Sequence, residues 1–232
     1  MKNSKNILFT LLIAIVIVEV NLASSGQFNE PKDSNGLLIL KLNEIIADSS
    51  GAVTISGNPE IVESPYGKAV KFNGVNDAIY LGHNPLKGLN SFTVEVIMKP
   101  ESGGAREQRF IHIGELRGDR LMMETRLPAD SLWYYDGFVK SGEPKITLVD
   151  TTKLHRTDKW YNVTFCVDNG KLTSFVNGEK ELEGVIEFTG INSGRMSIGV
   201  RLNNQYWFKG VIYEIRISPR ILEKEEFIKT AP

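Results

Sequence analysis

Residues 67–82, with the sequence GKAVKFNGVNDAIYLG, constrain the fold of this chain more than any other segment. Apolar and polar residues alternate on both sides of a short turn, and a period of two is typical of β-strands with one buried face. Asn73-Gly74 and Asn76-Asp77 supply residues that tolerate the positive φ angles of tight turns. The segment therefore predicts two short antiparallel strands that pair through this turn.

The rest of the chain is also strand-like, because turn residues recur about every ten positions and only residues 222–229 have a helical pattern. Strands are predicted over 36–42, 52–55, 69–73, 78–81, 91–99, 109–113, 120–126, 133–139, 160–167, 171–176, 196–200 and 210–218. Many short strands at such spacing are typical of a sandwich or barrel. The sequence therefore predicts an all-β antiparallel fold with a short C-terminal helical turn.

The first residues have the layout of a secretory signal peptide. Two lysines precede an apolar run over residues 7–18, and small residues follow at 23–25. This run is shorter than the stretch of about 20 apolar residues that crosses a membrane. We therefore expect a cleaved signal peptide over 1–25, a secreted or periplasmic mature protein, and one domain over 26–232.

Composition excludes several classes of function. The formal net charge of the 232 residues is −1 and no basic tract occurs, which argues against a nucleic-acid surface. The one cysteine, Cys166, lies in an alternating strand pattern and is expected to be a buried thiol. The three histidines lack the spacing of metal ligands, which argues against metal catalysis.

Several segments, taken together and in order, resemble one known family. They are GLLILKLNE followed by DSSG, the 67–82 segment, SFTVEVIMKP (91–100), KWYNVTFCVDNGKLTSFVNGEKE (159–181) and FKGVIYEIRISPRILEKEEF (208–227). Together they resemble the LamG-like jelly-roll domains of the concanavalin A-like lectin/glucanase superfamily. The resemblance implies a sandwich of two antiparallel sheets, whose concave side is used by sugar-binding members and by polysaccharide-cleaving relatives alike.

No motif requires a cofactor, but the resemblance implies a structural calcium site at Asn73, Asp77 and Glu214. The chain departs from the family there, because it has Asn73 where Asp is common and Tyr213 where Asp often precedes the glutamate. Calcium prefers anionic oxygen ligands, so these changes weaken the site. The alternative is that Asn73 and Asp77 only shape the turn.

The middle third carries the most unusual chemistry. By the period of two, Arg120, Met122, Glu124 and Arg126 share one face of a strand, and guanidinium groups suit the carboxylate or sulfate oxygens of acidic polysaccharides. The aromatic run 133–135 offers flat faces for sugar rings, and a hairpin through 114–119 would bring His112 beside the arginine strand. The predicted ligand-binding residues are Arg120, Glu124, Arg126, Trp133, Tyr135 and His112. The alternative is a solvated ladder of ion pairs, with the aromatic residues in the core.

Two classes of function remain open at this stage. The first is an exported, non-catalytic, lectin-like protein that binds a poly- or oligosaccharide, neutral or acidic, in polysaccharide recognition or utilisation. The second is a polysaccharide lyase, in which His112 or Tyr135 takes the proton and Arg120 and Arg126 neutralise a uronate carboxylate. Glycoside hydrolysis fits less well, because no strand carries the pair of carboxylates that it requires. No catalytic residue is assigned.

Overall fold

The computed structural model describes residues 33–47 and 51–231. The predicted signal peptide and the DSSG residues 48–50 lie outside the described residues. The elements, in chain order, are β1 (Leu38–Lys41), α1 (Leu42–Ile45), β2 (Val53–Ser56), β3 (Glu60–Ser64), β4 (Gly67–Asn73), β5 (Ala78–Leu81), β6 (Ser91–Pro100), β7 (Glu107–Gly114), β8 (Arg120–Ala129), β9 (Leu132–Lys140), β10 (Lys145–Val149), β11 (His155–Arg156), β12 (Tyr161–Asp168), β13 (Lys171–Val176), β14 (Glu179–Val185), β15 (Arg195–Ile198), β16 (Lys209–Ser218) and a 3-10 turn at Lys224–Glu226.

The strands form two eight-stranded sheets in which all the described pairs are antiparallel. Sheet A has the order β14-β13-β12-β6-β16-β4-β3, with β1 beside β16, and sheet B has the order β10-β9-β8-β7-β15-β5-β2, with β11 beside β9. The two-sheet antiparallel jelly-roll sandwich predicted from the sequence is confirmed. Within the described part of the chain, no helix is long and apolar enough to span a bilayer.

The core lies between the two sheets and is continuous from one end of the sandwich to the other. Alternate residues of each strand point inward, so that β6 contributes Phe92, Val94 and Val96 from sheet A. The sheets approach closely at Gly137 of β9, where an added Cβ would lie 2.4 Å from the ring of Phe165. Only glycine fits there, since any side chain would push the sheets apart.

The pairing predicted within residues 67–82 is wrong, although both strands form. Strand β4 belongs to sheet A, where it pairs with β3 and β16, whereas β5 belongs to sheet B, where it pairs with β2 and β15. The turn is a corner between the sheets. Asn73 Oδ1 accepts hydrogen bonds from the backbone N–H groups of Val75 (2.8 Å) and Asn76 (3.0 Å). Buried Asp77 accepts one from the Asn73 N–H (3.0 Å) and one from the Asn58 N–H (2.8 Å).

Other differences from the sequence prediction lie at the margins of the sheets. Strands β3, β10, β11 and β14 were not predicted, because their solvated side chains obscure the apolar alternation. The predicted helix over 222–229 is reduced to one 3-10 turn. Its last turn cannot continue, since Phe227 adopts an extended conformation (ψ 147°) and is buried against Phe175.

Candidate functional site

The outer face of sheet B, which points away from the core, carries the predicted polar strand. The period of two does place Arg120, Glu124 and Arg126 on that face, and β7 and β8 do form the predicted hairpin. Register then fixes their neighbours on β9: Arg126 lies opposite Tyr134, Glu124 opposite Asp136, Met122 opposite Phe138, and Arg120 opposite Lys140.

Five charged side chains on the outer face form a connected network that we call the ion-pair ring: Glu107, Arg109, Glu124, Arg126 and Asp136. Glu107 binds Arg109 (3.0 Å) and Arg126 (2.7 Å) with its two oxygens. Glu124 Oε2 binds the same two arginines at 3.0 and 2.9 Å. Arg126 Nε binds Asp136 at 2.8 Å. All three nitrogens of the Arg126 guanidinium are therefore engaged within the protein.

Burial changes the pKa values of the carboxyl groups in this ring. Burial, and next the charge of Asp136, raise the pKa of Glu124 to about 7, because the nearby arginines only partly offset desolvation. Burial likewise raises the pKa of Asp136. The hydrogen bond from Arg109 lowers the pKa of the more exposed Glu107. Glu124 and Arg126 thus bind each other and the other charged side chains of the ring, an arrangement that does not favour their predicted role as direct ligand contacts.

A loop over residues 199–208 lies across the middle of the outer face. The ring of Tyr206 stacks 3.9 Å from the Arg109 guanidinium, and the Leu202 N–H points at His112 Nδ1 from 3.5 Å. His112 Nε2 lies 3.1 Å from the carbonyl oxygen of Glu115, to which it donates. Burial lowers the pKa of His112 to about 4. His112 is fully buried, which argues against its predicted contact with ligand.

Trp133 and Tyr135 lie in the core rather than on the sugar-binding face that the sequence suggested. Their exposed fractions are 0% and 2%. Trp133 packs edge-on against Tyr161 (5.2 Å between ring centroids), and Tyr135 packs against Phe165 (6.4 Å). They lie on the inward face of β9, whereas the arginines lie on the outer face of sheet B, so their burial argues against the predicted role in sugar stacking.

The part of the outer face that remains open lies on β8, β9 and β10. We call it the open strip, and it consists of Arg120, Tyr134, Phe138, Lys140 and Thr147. The Arg120 guanidinium lies 4.7 Å from the centre of the Phe138 ring. The two aromatic rings are partly exposed and Thr147 is exposed. Ring faces flanked by cations and a hydroxyl can stack on a sugar and hydrogen-bond its substituents.

Sequence reasoning missed most of the open strip, although a signal existed. Along β9 the even positions include Asp136 and Lys140, which are charged, so the aromatic residues in phase with them, Tyr134 and Phe138, had to point outward. A second shallow depression, of about 350 Å³, lies on the other side of the 199–208 loop. Its lining includes Tyr80 and Arg195, which the sequence also did not single out.

The three residues of the implied calcium site do not fit the ion. Both oxygens of Asp77 accept backbone hydrogen bonds, as described for the corner. Glu214 pairs with Arg216 on sheet A, five positions along β16 from the residue opposite Asn73, which is roughly 16 Å at strand spacing. Among residues 33–47 and 51–231, no group of three acidic, histidine or cysteine side chains is arranged to hold a metal.

A family model described as the concanavalin A-like lectin/glucanases superfamily, of the laminin G type, matches residues 73–227. The chain belongs to this superfamily. The match covers the corner, strands β5 to β16 and the 3-10 turn, and so confirms the resemblance drawn from the sequence motifs. A comparison with curated proteins gave no match.

Solved structures share the fold at low sequence identity. Domain 4 of an extracellular arabinanase from Geobacillus stearothermophilus, in complex with arabinotriose, matches with a TM-score of 0.57 at 20% identity, over 81% of this chain and 94% of that domain. The botulinum neurotoxin serotype D binding domain matches at 0.56 and 18%, over 77% of this chain and 46% of that one. A Trypanosoma rangeli sialidase matches at 0.52 and 15%, over 75% and 28%. This chain therefore spans less than half of the toxin and sialidase chains.

Proposed function

We propose that this protein binds an oligosaccharide or polysaccharide on the open strip of sheet B. The observation that carries the proposal is the pair of partly exposed rings, Tyr134 and Phe138, on the outer face of β9, with the Arg120 and Lys140 cations at one end. Rings of this kind stack on the apolar faces of sugars, while the cations and Thr147 supply hydrogen bonds to hydroxyl or acidic groups. Such a strip suits a chain lying across the strands better than a small enclosed ligand.

The comparisons support the same proposal at the level of the fold. The arabinanase domain that matches almost over its whole length was solved with arabinotriose, and a related neurotoxin binding domain was solved in complex with a molecule called SialylT. Superfamily membership therefore agrees with a carbohydrate ligand, but the fold by itself does not determine function. The argument for this chain rests on its own surface residues.

The test is a panel of oligosaccharides screened on an array, followed by calorimetric titration of the tightest ligand into three variants. Phe138→Ala and Tyr134→Ala should each weaken binding by about 1–3 kcal/mol, since each removes a stacking face. Trp160→Ala is the matched control, because Trp160 is a partly exposed aromatic residue beside Tyr66, outside the open strip. Equal affinity of all three variants and the parent would refute the proposed site.

The lyase alternative receives less support from the geometry. His112 is covered by the 199–208 loop and Tyr135 lies in the core, so neither residue that was assigned as the base reaches the open strip. A lyase needs a base within hydrogen-bond reach of the sugar C5 proton. Incubation with uronate-containing polymers, followed by ultraviolet absorbance of the unsaturated product, tests this class directly. No absorbance is expected.

The proposal includes export. The basic start and the short apolar run at residues 7–18 support cleavage after about residue 25, which would place the binding domain in the periplasm or outside the cell. Mass spectrometry of protein purified from its natural host should find a mature N-terminus between residues 24 and 27. An intact Met1 would contradict export by a cleaved signal.

A further inference from the structure

We propose that Arg120 and Arg201 form an anion-binding subsite at one end of the open strip, which takes the sulfate or carboxylate group of an acidic sugar. This inference rests on the proposed glycan binding and specifies its ligand. It differs from the sequence prediction, which paired Arg120 with Arg126. All three guanidinium nitrogens of Arg126 already bind carboxylates of the ion-pair ring. Arg201 instead comes from the 199–208 loop, far from Arg120 in the sequence.

The two arginines meet at the turn between β7 and β8. Arg120 Nη1 donates to the carbonyl oxygen of Gly118 at 2.8 Å, and Arg201 Nη2 approaches the carbonyl oxygen of Leu116 at 3.5 Å. Both guanidinium groups are thereby held against the same short turn. Arg120 is held further by the ring of Phe138 beneath it, at 4.7 Å from the ring centre.

Each guanidinium has a buried donor that is not used. Arg120 Nε and Arg201 Nε are buried and make no hydrogen bond to any described residue. A buried N–H without an acceptor is costly, and a functional site is a common reason for keeping one. The Nε–H and a neighbouring Nη–H of arginine point along one edge of the group and match the two oxygens of a carboxylate or sulfate.

Neither arginine has a carboxylate partner within ion-pair distance in the described ranges. The acids nearest to Arg120 are otherwise engaged: Asp119 accepts the Gly142 N–H at 2.7 Å, and Glu124 binds Arg109 and Arg126. Burial, and then the charge of Arg201, lower the pKa of Arg120, so the two cations repel each other. An oxyanion bound beside both guanidinium groups would offset this repulsion and supply an acceptor for donors that the protein leaves unused.

The position also suits a sugar. Phe138 lies directly under Arg120, and Lys140 lies opposite Arg120 on β9. A sugar packed beside Arg120, against the exposed part of the Phe138 ring, would therefore carry its acidic substituent toward the arginine pair. The ligand class that fits is an oligosaccharide with sulfate esters or uronic acids.

The experiment uses inorganic sulfate first, because it tests the subsite without any assumption about the sugar. Side-chain Nε–H resonances of arginine are followed by nuclear magnetic resonance during a sulfate titration of the full chain, with sodium chloride at equal ionic strength as the reference. The Arg120 and Arg201 signals should shift with saturation. Arg120→Gln and Arg201→Gln should each weaken sulfate binding by roughly tenfold to a hundredfold, the range for a charged hydrogen bond.

Arg156→Gln is the matched control, since Arg156 is exposed on β11 and its loss changes the net charge equally. Sulfate affinity unchanged in Arg120→Gln and Arg201→Gln, or reduced as much by Arg156→Gln, would overturn the subsite. A pair of otherwise identical neutral and sulfated oligosaccharides then separates the two proposals. If both bind equally, glycan binding holds and the subsite fails, whereas sulfate binding without any glycan binding would refute the proposed function alone.

Discussion

At the scale of single residues, strand phase decides which side chains can meet a ligand. Alternation within β8 was enough to predict that Arg120, Glu124 and Arg126 share a face. On β9 the same alternation marks the outward face, because the charged Asp136 and Lys140 are in phase with Tyr134, but residues 133–135 were treated as one aromatic run. Trp133 and Tyr135 were therefore assigned to the wrong side, while Tyr134 lies opposite Arg126 on the right one.

Truncation of the two neighbours on β9 should have opposite consequences. Trp133→Ala should lower the free energy of unfolding by about 3–5 kcal/mol, because it leaves a cavity in the core. Tyr134→Ala should lower it by less than about 1 kcal/mol, since that side chain is partly exposed. Urea denaturation of both variants measures the difference. Similar losses would show that the inward and outward faces of β9 are wrongly assigned.

His112 should make the protein less stable in acid. The pKa of His112 is lowered to about 4 in the folded protein, so its contribution is full above the unfolded pKa of about 6.5 and is lost as pH falls through about 4. Glu124 acts in the opposite sense, because its pKa is raised to about 7 and its contribution declines as pH rises from 4.5 through 7.

The two effects partly cancel in the parent, so the difference between parent and His112→Gln is the useful quantity. That difference should change by up to about 3 kcal/mol between pH 7 and pH 4, with the variant losing less stability on acidification. Denaturation curves at several pH values give the measurement. Parallel pH profiles for the two proteins would mean that His112 titrates normally in the folded state.

At the scale of elements, residues 67–82 show that alternation of apolar and polar residues predicts where strands form but does not predict which strands pair. Both strands were predicted correctly, because apolar periodicity reports burial of one face. Their pairing was not, since a turn rich in Asn and Gly serves equally for a hairpin or for a corner between sheets. The deciding contact is the hydrogen bond from the Asn58 N–H to Asp77, which comes from a residue 19 positions away.

Asp77→Ala should therefore destabilise the whole sandwich. The change removes the acceptor of two backbone N–H groups, of Asn73 and Asn58, at about 0.5–1.5 kcal/mol for each lost hydrogen bond. Thermal unfolding in buffers with calcium and with a chelator measures this loss and tests the metal at the same time. The parent should have the same unfolding temperature in both buffers. An unfolding temperature that rises with calcium in the parent but not in Asp77→Ala would contradict our conclusion that Asp77 binds backbone N–H groups and not a metal ion.

At the scale of the whole molecule, the sandwich was predictable because several family motifs follow one another in the expected order along most of the chain. The candidate site was predictable only in part. The 199–208 loop crosses sheet B, buries His112 and brings Arg201 to Arg120, and none of these long-range contacts leaves a local pattern in the sequence. The usable surface of sheet B is thus fixed by tertiary packing, with the open strip on one side of the loop.

The most direct test of a glycan site on this strip is chemical-shift mapping with the tightest oligosaccharide found by screening. Backbone and aromatic resonances of the parent are compared with and without ligand. The changes should cluster on β8, β9 and β10 around Phe138, and they should be smaller in Phe138→Ala at the same subsaturating ligand concentration. Changes that cluster instead on the other partly exposed aromatic group, Tyr66, Trp160 and Tyr213, would contradict the assignment of the binding face.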